Sequence, residues 1–356
     1  MNKHQYCLGR SFPLESGEEL PELNIVYHTS GTLNPAKDNV LWVCHALTAN
    51  SDVEDWWDVL VGKGKYYDTS RYFVVCANII GSCYGTTGPL STNPETGKPY
   101  YRAFPQITVR DLANAHELLR QHLGIDRIHT LIGGSIGAFQ ALEWAIINPD
   151  VSEHLIIVAS NARVTPWATA LNESQRMAIR ADQSFFEDRP DGGLEGLKAA
   201  RTIALVSYRS YEGYNKTQYE LDNNGLEASK ASSYQQYQGQ KLANRFDAYS
   251  YYTLTRIVDS HNVGRNRGGV AAALSRIKAK TLLVGIDTDI LFPIEEQRAL
   301  KVLIPNAQFA PITSSFGHDG FLLEWRQLSR VIFFSSAETS LSIGSLGCTL
   351  SVSDKI

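Results

Sequence analysis

A serine set among glycines is the first feature of this chain that could do chemistry. Residues 131–137 read LIGGSIG, with an apolar, β-branched run before them and a run of helical spacing after. Gly133, Ser135 and Gly137 fit a nucleophile elbow, a sharp strand-to-helix turn that strains the serine backbone and lifts its oxygen above the sheet edge. Glycine is needed on either side because a Cβ there would strike the neighbouring strand or helix. The helix that follows points its positive end and free N–H groups at developing negative charge. A phosphate-binding turn would need G-x-G-x-x-G spacing or a P-loop lysine, and the stretch has neither.

A serine with its ordinary pKa needs a base, and the base needs an orienting carboxylate. On such an elbow the partners follow in the order serine, acid, histidine, at the ends of later strands. Of nine histidines, only His261 and His318 lie well past Ser135. His318, in SSFGHDGFLLEW, has a glycine on each side and an apolar helix after it, a setting for a mobile imidazole. His261 closes a helical region and is the weaker candidate. Two acids follow the apolar run KTLLVGI: Asp287 and Asp289, in GIDTDILFP. Asp289 precedes an apolar turn into a helix and can point back under an imidazole, so it is preferred, while Asp287 fits a turn cap. The two amides of an oxyanion hole are expected from Ile136, directly after the serine, and Leu47, in the HALTAN loop after the first long strand. His45 in that loop precedes the serine and fits a loop-shaping role better than that of a base.

These residues need elements to hold them. The runs at 39–47, 72–80, 128–134 and 154–160 are short, β-branched and bounded by turn residues, as buried parallel strands are. Amphipathic helices are expected between the second and third (109–124, with Gly124 as its stop) and after the third, closed by Pro149. Strand and helix alternate, which predicts an α/β fold with a doubly wound, mostly parallel sheet and right-handed crossovers. From 163 to 270 the chain turns polar and helical, with nine tyrosines between 208 and 252. Sheet-type segments then resume at 280–286, so this stretch reads as a helical cap inserted into the sheet domain. The expected division is core over 1–162, cap over 163–270, core again over 271–334, and a Ser-rich, poorly ordered tail over 335–356.

Composition narrows the function. The chain has 356 residues, is 43% hydrophobic and 20% charged, and carries a formal charge of -4. A slightly acidic surface with no Lys/Arg block gives no reason to expect nucleic acid or an anionic membrane as a partner. No apolar run is long enough for a transmembrane helix, and the first residues lack the apolar region of a secretory signal. Five cysteines without CxxC spacing read as reduced thiols, which points to the cytoplasm. Neither HExxH nor a clustered His/Cys spacing suggests a metal.

Blocks spread over about residues 20 to 330 resemble the homoserine O-acyltransferases, acetyl-CoA-using enzymes of methionine biosynthesis on the α/β-hydrolase fold. The blocks are HALTAN, ANIIGSCYGTTGP, IGGSIGAFQALEWA, SNARVTPWATALNESQRMAI, ALVSYRSYEGY, the long run from YQGQKLANRF to NVGRNRGG, GIDTDILFP and GHDGFL. This chain has Ile136 and Ala138 where the family commonly carries methionine and glycine, and Ala49 where it commonly carries glycine. The resemblance implies Ser135 as nucleophile, Asp289 as orienting acid and His318 as base. It also implies that Arg201 holds the carboxylate of L-homoserine and Asp319 its ammonium, a pairing suited to a small zwitterion. Acetyl-CoA would be a co-substrate with no resident cofactor, the reaction ping-pong, and the protein a homodimer joined through its cap helices. Succinyl-CoA as donor, L-serine as acceptor, or an esterase using the same triad are the alternatives.

Overall fold

The computed structural model describes residues 1–221, 226 and 229–341. Among them, one sheet contains β1 (Asn2–Cys7), β2 (Asn24–Ser30), β3 (Val40–Cys44), β4 (Phe73–Ala77), β5 (Ile128–Gly134), β6 (Ser152–Val158), β7 (Lys280–Ile286) and β8 (Gln308–Ile312). Their spatial order is β1-β2-β4-β3-β5-β6-β7-β8. Pairing is parallel from β4 to β8 and antiparallel at β1-β2 and β2-β4. The five strands expected from apolar runs are present: β5 and β7 match their expected bounds, β3 and β4 are shorter, and β6 lies two residues earlier. β1, β2 and β8 were not expected. β1 is an edge strand with almost every side chain in solvent, and β8 carries Pro311, so neither shows the apolar run of a central strand.

Two helices follow the sheet's logic closely. α1 (Val109–His122) begins at a capping box in which Thr108 and Asp111 satisfy each other's amides, and it ends before Gly124 at φ 63°. α2 (Ile136–Ile147) is buried at every position through Ile146, because it packs centrally on the sheet. Trp144 of α2 meets Trp42 of β3 edge-to-face at 5.0 Å, anchoring helix to strand with two rings that have left water.

Between β6 and β7 the chain builds α3 (Pro166–Ala181), α4 (Leu194–Tyr208), α5 (Tyr211–Gln218), α6 (Ser229–Ala243) and α7 (Ala248–Asp259). After β7 come α8 (Ile294–Leu303) and α9 (Trp325–Leu341). The tail expected from 335 therefore starts inside α9, whose apolar face (Leu328, Ile332) is anchored on the sheet. Residues 342–356, the rest of that expected tail, lie outside the described residues.

Ion pairs tie the end of the helical insertion back to the core. Arg110 of α1 reaches Glu15 at 2.6 Å and Glu143 of α2 at 2.7 Å. Arg265 and Arg267, past α7, pair with the same two carboxylates at 2.7 Å each. Charges this buried are favourable only when mutually satisfied, so the three guanidiniums and two carboxylates act as one fastening. No helix among the described residues is long and apolar enough to cross a membrane.

Candidate active site

Ser135 stands between β5 and α2 at φ 58° and ψ -129°, a left-handed conformation that costs a non-glycine residue roughly 1–3 kcal/mol. The neighbours explain why the turn has this form. Register places Gly133 beside Cys44 of β3 and Ile157 of β6. A Cβ on Gly133 would lie 2.3 Å from the Gly137 carbonyl, and one on Gly137 would lie 2.1 Å from the Cys44 carbonyl oxygen. Any larger residue at either place would push α2 off the sheet. The Ser135 amide donates to Val158 of β6 at 3.1 Å, which holds the turn above the parallel strand ends.

Three side chains from three loops meet here. The Ser135 hydroxyl donates to His318 Nε2 at 2.9 Å, and His318 Nδ1 donates to Asp289 Oδ2 at 2.7 Å. The other oxygen of Asp289 accepts the amides of Leu291 and Phe292 at 2.8 and 2.9 Å, so the carboxylate is locked beneath the ring. Asp287, the competing acid, accepts the Ser314 amide at 3.1 Å instead and does not reach the imidazole. Burial pulls the His318 pKa down, but the Asp289 charge and hydrogen bond overcome it, and the net shift is upward.

His318 is not the mobile imidazole its glycines suggest. It is 3% exposed, with the rings of Phe292, Phe321 and Tyr208 at 5.2, 5.5 and 5.8 Å. Gly317 takes φ 62° because the loop presses on the main chain after α4, where a Cβ would lie 2.8 Å from Arg209. That glycine serves close approach, not freedom. Thr288 adds a lower support, donating to the Ser314 carbonyl at 2.6 Å and accepting the Gly317 amide at 3.1 Å.

The other two histidines near the elbow are structural. His45 is fully buried: it accepts the Ile79 amide at 3.1 Å on Nε2 and donates from Nδ1 to Ala46 at 2.8 Å. It thereby shapes the loop that carries Leu47. His261 stacks on Phe139 at 3.8 Å and bonds the Asn161 carbonyl at 2.8 Å, away from the serine. Burial lowers both pKa values to about 4, so both rings are neutral.

A cavity of about 300 Å³ opens above Ser135. Leu47, His318, Arg201 and Asp319 all line it, as do Trp56 and Tyr208. The Leu47 amide, and the Ile136 amide that heads α2, take part in no hydrogen bond among the described residues. Unpaired amides such as these can donate hydrogen bonds to an oxyanion. Arg201 extends from α4 over the Tyr208 ring at 5.6 Å. Two further guanidiniums were not foreseen from sequence. Arg209 pairs with Asp319 at 3.1 Å, and Arg245 donates to the Thr48 carbonyl at 2.6 Å and to the Tyr84 hydroxyl. Each sits in a short junction between insertion helices, and that placement is the only signal the sequence offered. No group of three or more His, Cys, Asp or Glu residues placed to hold a metal occurs among the described residues.

A serine, imidazole and carboxylate so linked can carry acyl chemistry through the hydroxyl, and the chain is similar to known proteins over most of its length. The family described as "alpha/beta hydrolase fold" matches residues 39–324. A homoserine O-acetyltransferase of Cyclobacterium marinum is 49% identical over 327 residues, 92% of this chain and 93% of that protein. The crystal structure of homoserine O-acetyltransferase from Bacillus anthracis superposes with a TM-score of 0.85 at 25% identity, covering 94% of this chain and 96% of the other. Esterase E22 superposes with a TM-score of 0.83, also at 25% identity, covering 94% and 99%. The chain is therefore an enzyme of the homoserine O-acetyltransferase family, built on the α/β-hydrolase fold.

Proposed function

We propose that the protein transfers an acetyl group from acetyl-CoA to the hydroxyl of L-homoserine by a ping-pong route, within methionine biosynthesis. The observation that carries this reading is the unbroken chain from Ser135 through His318 to Asp289 at the floor of a cavity that also presents Arg201 and Asp319. His318 takes the serine proton as Oγ attacks the thioester carbonyl. The tetrahedral oxyanion rests on the Leu47 and Ile136 amides, and the thiol leaves with the proton from His318. Homoserine then enters with its carboxylate on Arg201 and its ammonium on Asp319. His318 removes the proton from its hydroxyl, which attacks the acyl-serine, and O-acetylhomoserine departs as Ser135 is restored. The insertion acts as a lid over the site, and its aromatic side chains limit water, which would otherwise complete a hydrolysis. The enzyme works without a resident cofactor or metal, in the cytoplasm, as a homodimer joined through the insertion helices.

The shared fold with esterase E22 supports a second reading, hydrolysis of acyl esters by the same three residues. Thiol release from acetyl-CoA separates the two. Release that rises with homoserine, exceeds that with L-serine or succinyl-CoA, and vanishes in Ser135→Ala supports transfer. Ester cleavage indifferent to homoserine supports hydrolysis and removes the first reading.

A further inference from the structure

The junction between α4 and α5 is where the helical insertion meets the loop bearing His318 and Asp319. Arg209 occupies it, between Tyr208, the last residue of α4, and Ser210, the cap of α5. Its Nε lies 3.1 Å from Asp319 Oδ2, and its guanidinium carbon lies 5.9 Å from the centre of the Phe316 ring. The junction's main chain presses on the same loop at Gly317, and the Ser210 hydroxyl donates to the Ser315 carbonyl. Arg209 is thus held by a ring, a carboxylate and its own backbone. Arg201, the other guanidinium near Asp319, forms no ion pair among the described residues and stays available in the cavity. The two arginines divide the work: one is committed to the acid, the other is open to a ligand carboxylate.

Asp319 faces Arg209, Arg201, His318, Asp289 and the Tyr208 phenol. Burial pushes its carboxyl above the usual carboxylate range, and Arg209 opposes that most strongly, ahead of His318 and Arg201. A buried acid that gained a proton could no longer balance an ammonium.

Resting on the functional reading above, we infer that Arg209 is a positioning residue: it holds the Asp319 carboxylate in place for the acceptor's ammonium, so that the insertion itself selects amino-acid acceptors over simple alcohols. The test compares wild type, Arg209→Met and Arg209→Lys with acetyl-CoA and either homoserine or butanol, alongside p-nitrophenyl acetate cleavage as a reading of Ser135 and His318. In Arg209→Met the KM for homoserine rises about tenfold or more, with a smaller change in kcat. The preference for homoserine over butanol falls with it. The acid limb of kcat/KM for homoserine moves upward relative to that for p-nitrophenyl acetate. Arg209→Lys keeps the charge and recovers part of each effect, and it is read the same way should Arg209→Met not fold. An unchanged KM for homoserine overturns the inference. So does a parallel fall of both activities with no relative movement of the acid limbs, the mark of a displaced loop. A wild type without homoserine-dependent thiol release overturns the functional reading and this inference with it; an active wild type beside an indifferent Arg209→Met overturns the inference alone.

Discussion

Gly213 of α5 and Ser315, three residues before His318, touch so closely that a methyl group on the glycine would lie 1.8 Å from the serine carbonyl oxygen. The insertion is seated directly on the strand-end loop that carries the imidazole. Helix propensity alone says Gly213→Ala should stabilise α5 by about 1 kcal/mol. The steric conflict outweighs that, because overpacking of this kind costs roughly 1–3 kcal/mol and the backbone must move. The expected outcome is a lower melting temperature and a kcat reduced by about tenfold or more. A variant that melts higher and turns over normally would refute the contact's importance.

The two acids after β7 should separate cleanly. Asp289→Asn keeps the shape beneath His318 but removes the charge, and kcat is expected to fall by about 10³–10⁴. Asp287→Asn weakens only its bond to the Ser314 amide, so stability drops by about 1 kcal/mol while kcat changes little. Steady-state kinetics and urea melts of the pair decide the matter. Equal losses of kcat would mean that Asp287 also serves the ring.

The pH profile follows from the proposed role of His318, since an imidazole acts as a base only when neutral. Its pKa stands above the ordinary imidazole value because the Asp289 charge outweighs the burial that would lower it. Activity should therefore fall as pH drops through a midpoint above about 6.5. In Asp289→Asn the residual activity should show that midpoint moved downward. A limb at or below the ordinary value in the wild type would contradict the geometry.

Stability has its own pH dependence, of mixed sign. His45, His116 and His261 are buried with pKa values lowered to about 4, against about 6.5 in the unfolded chain. Each makes unfolding take up a proton between those limits, so each removes up to about 1.4 kcal/mol per pH unit as pH falls from about 6.5 toward 4. His318 works the other way: its folded pKa is raised, so its contribution is full below about 6.5 and is lost as pH rises through its folded pKa. His28, His129 and His154 are lowered as well, so the lowered rings outnumber the one that is raised, and denaturant midpoints should decline on acidification through this window. A flat profile from pH 6.5 to 4 would rule out three neutral buried rings.

Much of this architecture could be read from residue order. The elbow at Ser135, the acid ahead of the histidine, and helices in place of strands over 163–270 all rest on local pattern: glycine spacing, β-branched runs and the order of chemistry along the chain. What could not be read depended on register and contact. β1 and β8 pair at the sheet's edges with mixed polarity, so no periodic run marks them. The glycines around His318 suggested a mobile imidazole, and only the approach of the α4–α5 junction shows Gly317 to be a place of tight packing. Arg209 and Arg245 gain their significance from which way two short junctions turn. Composition carries no trace of that direction.

The point at which the helical insertion leaves and re-enters the sheet has a consequence for synthesis. Ser135, Leu47 and Ile136 precede it, whereas Asp289 and His318 follow it. A chain growing from its N-terminus displays a serine with no proton acceptor until well over a hundred more residues have been added. On the proposed mechanism the hydroxyl has no base through that interval, and reactivity waits for the last strands to bring Asp289 and His318 to it.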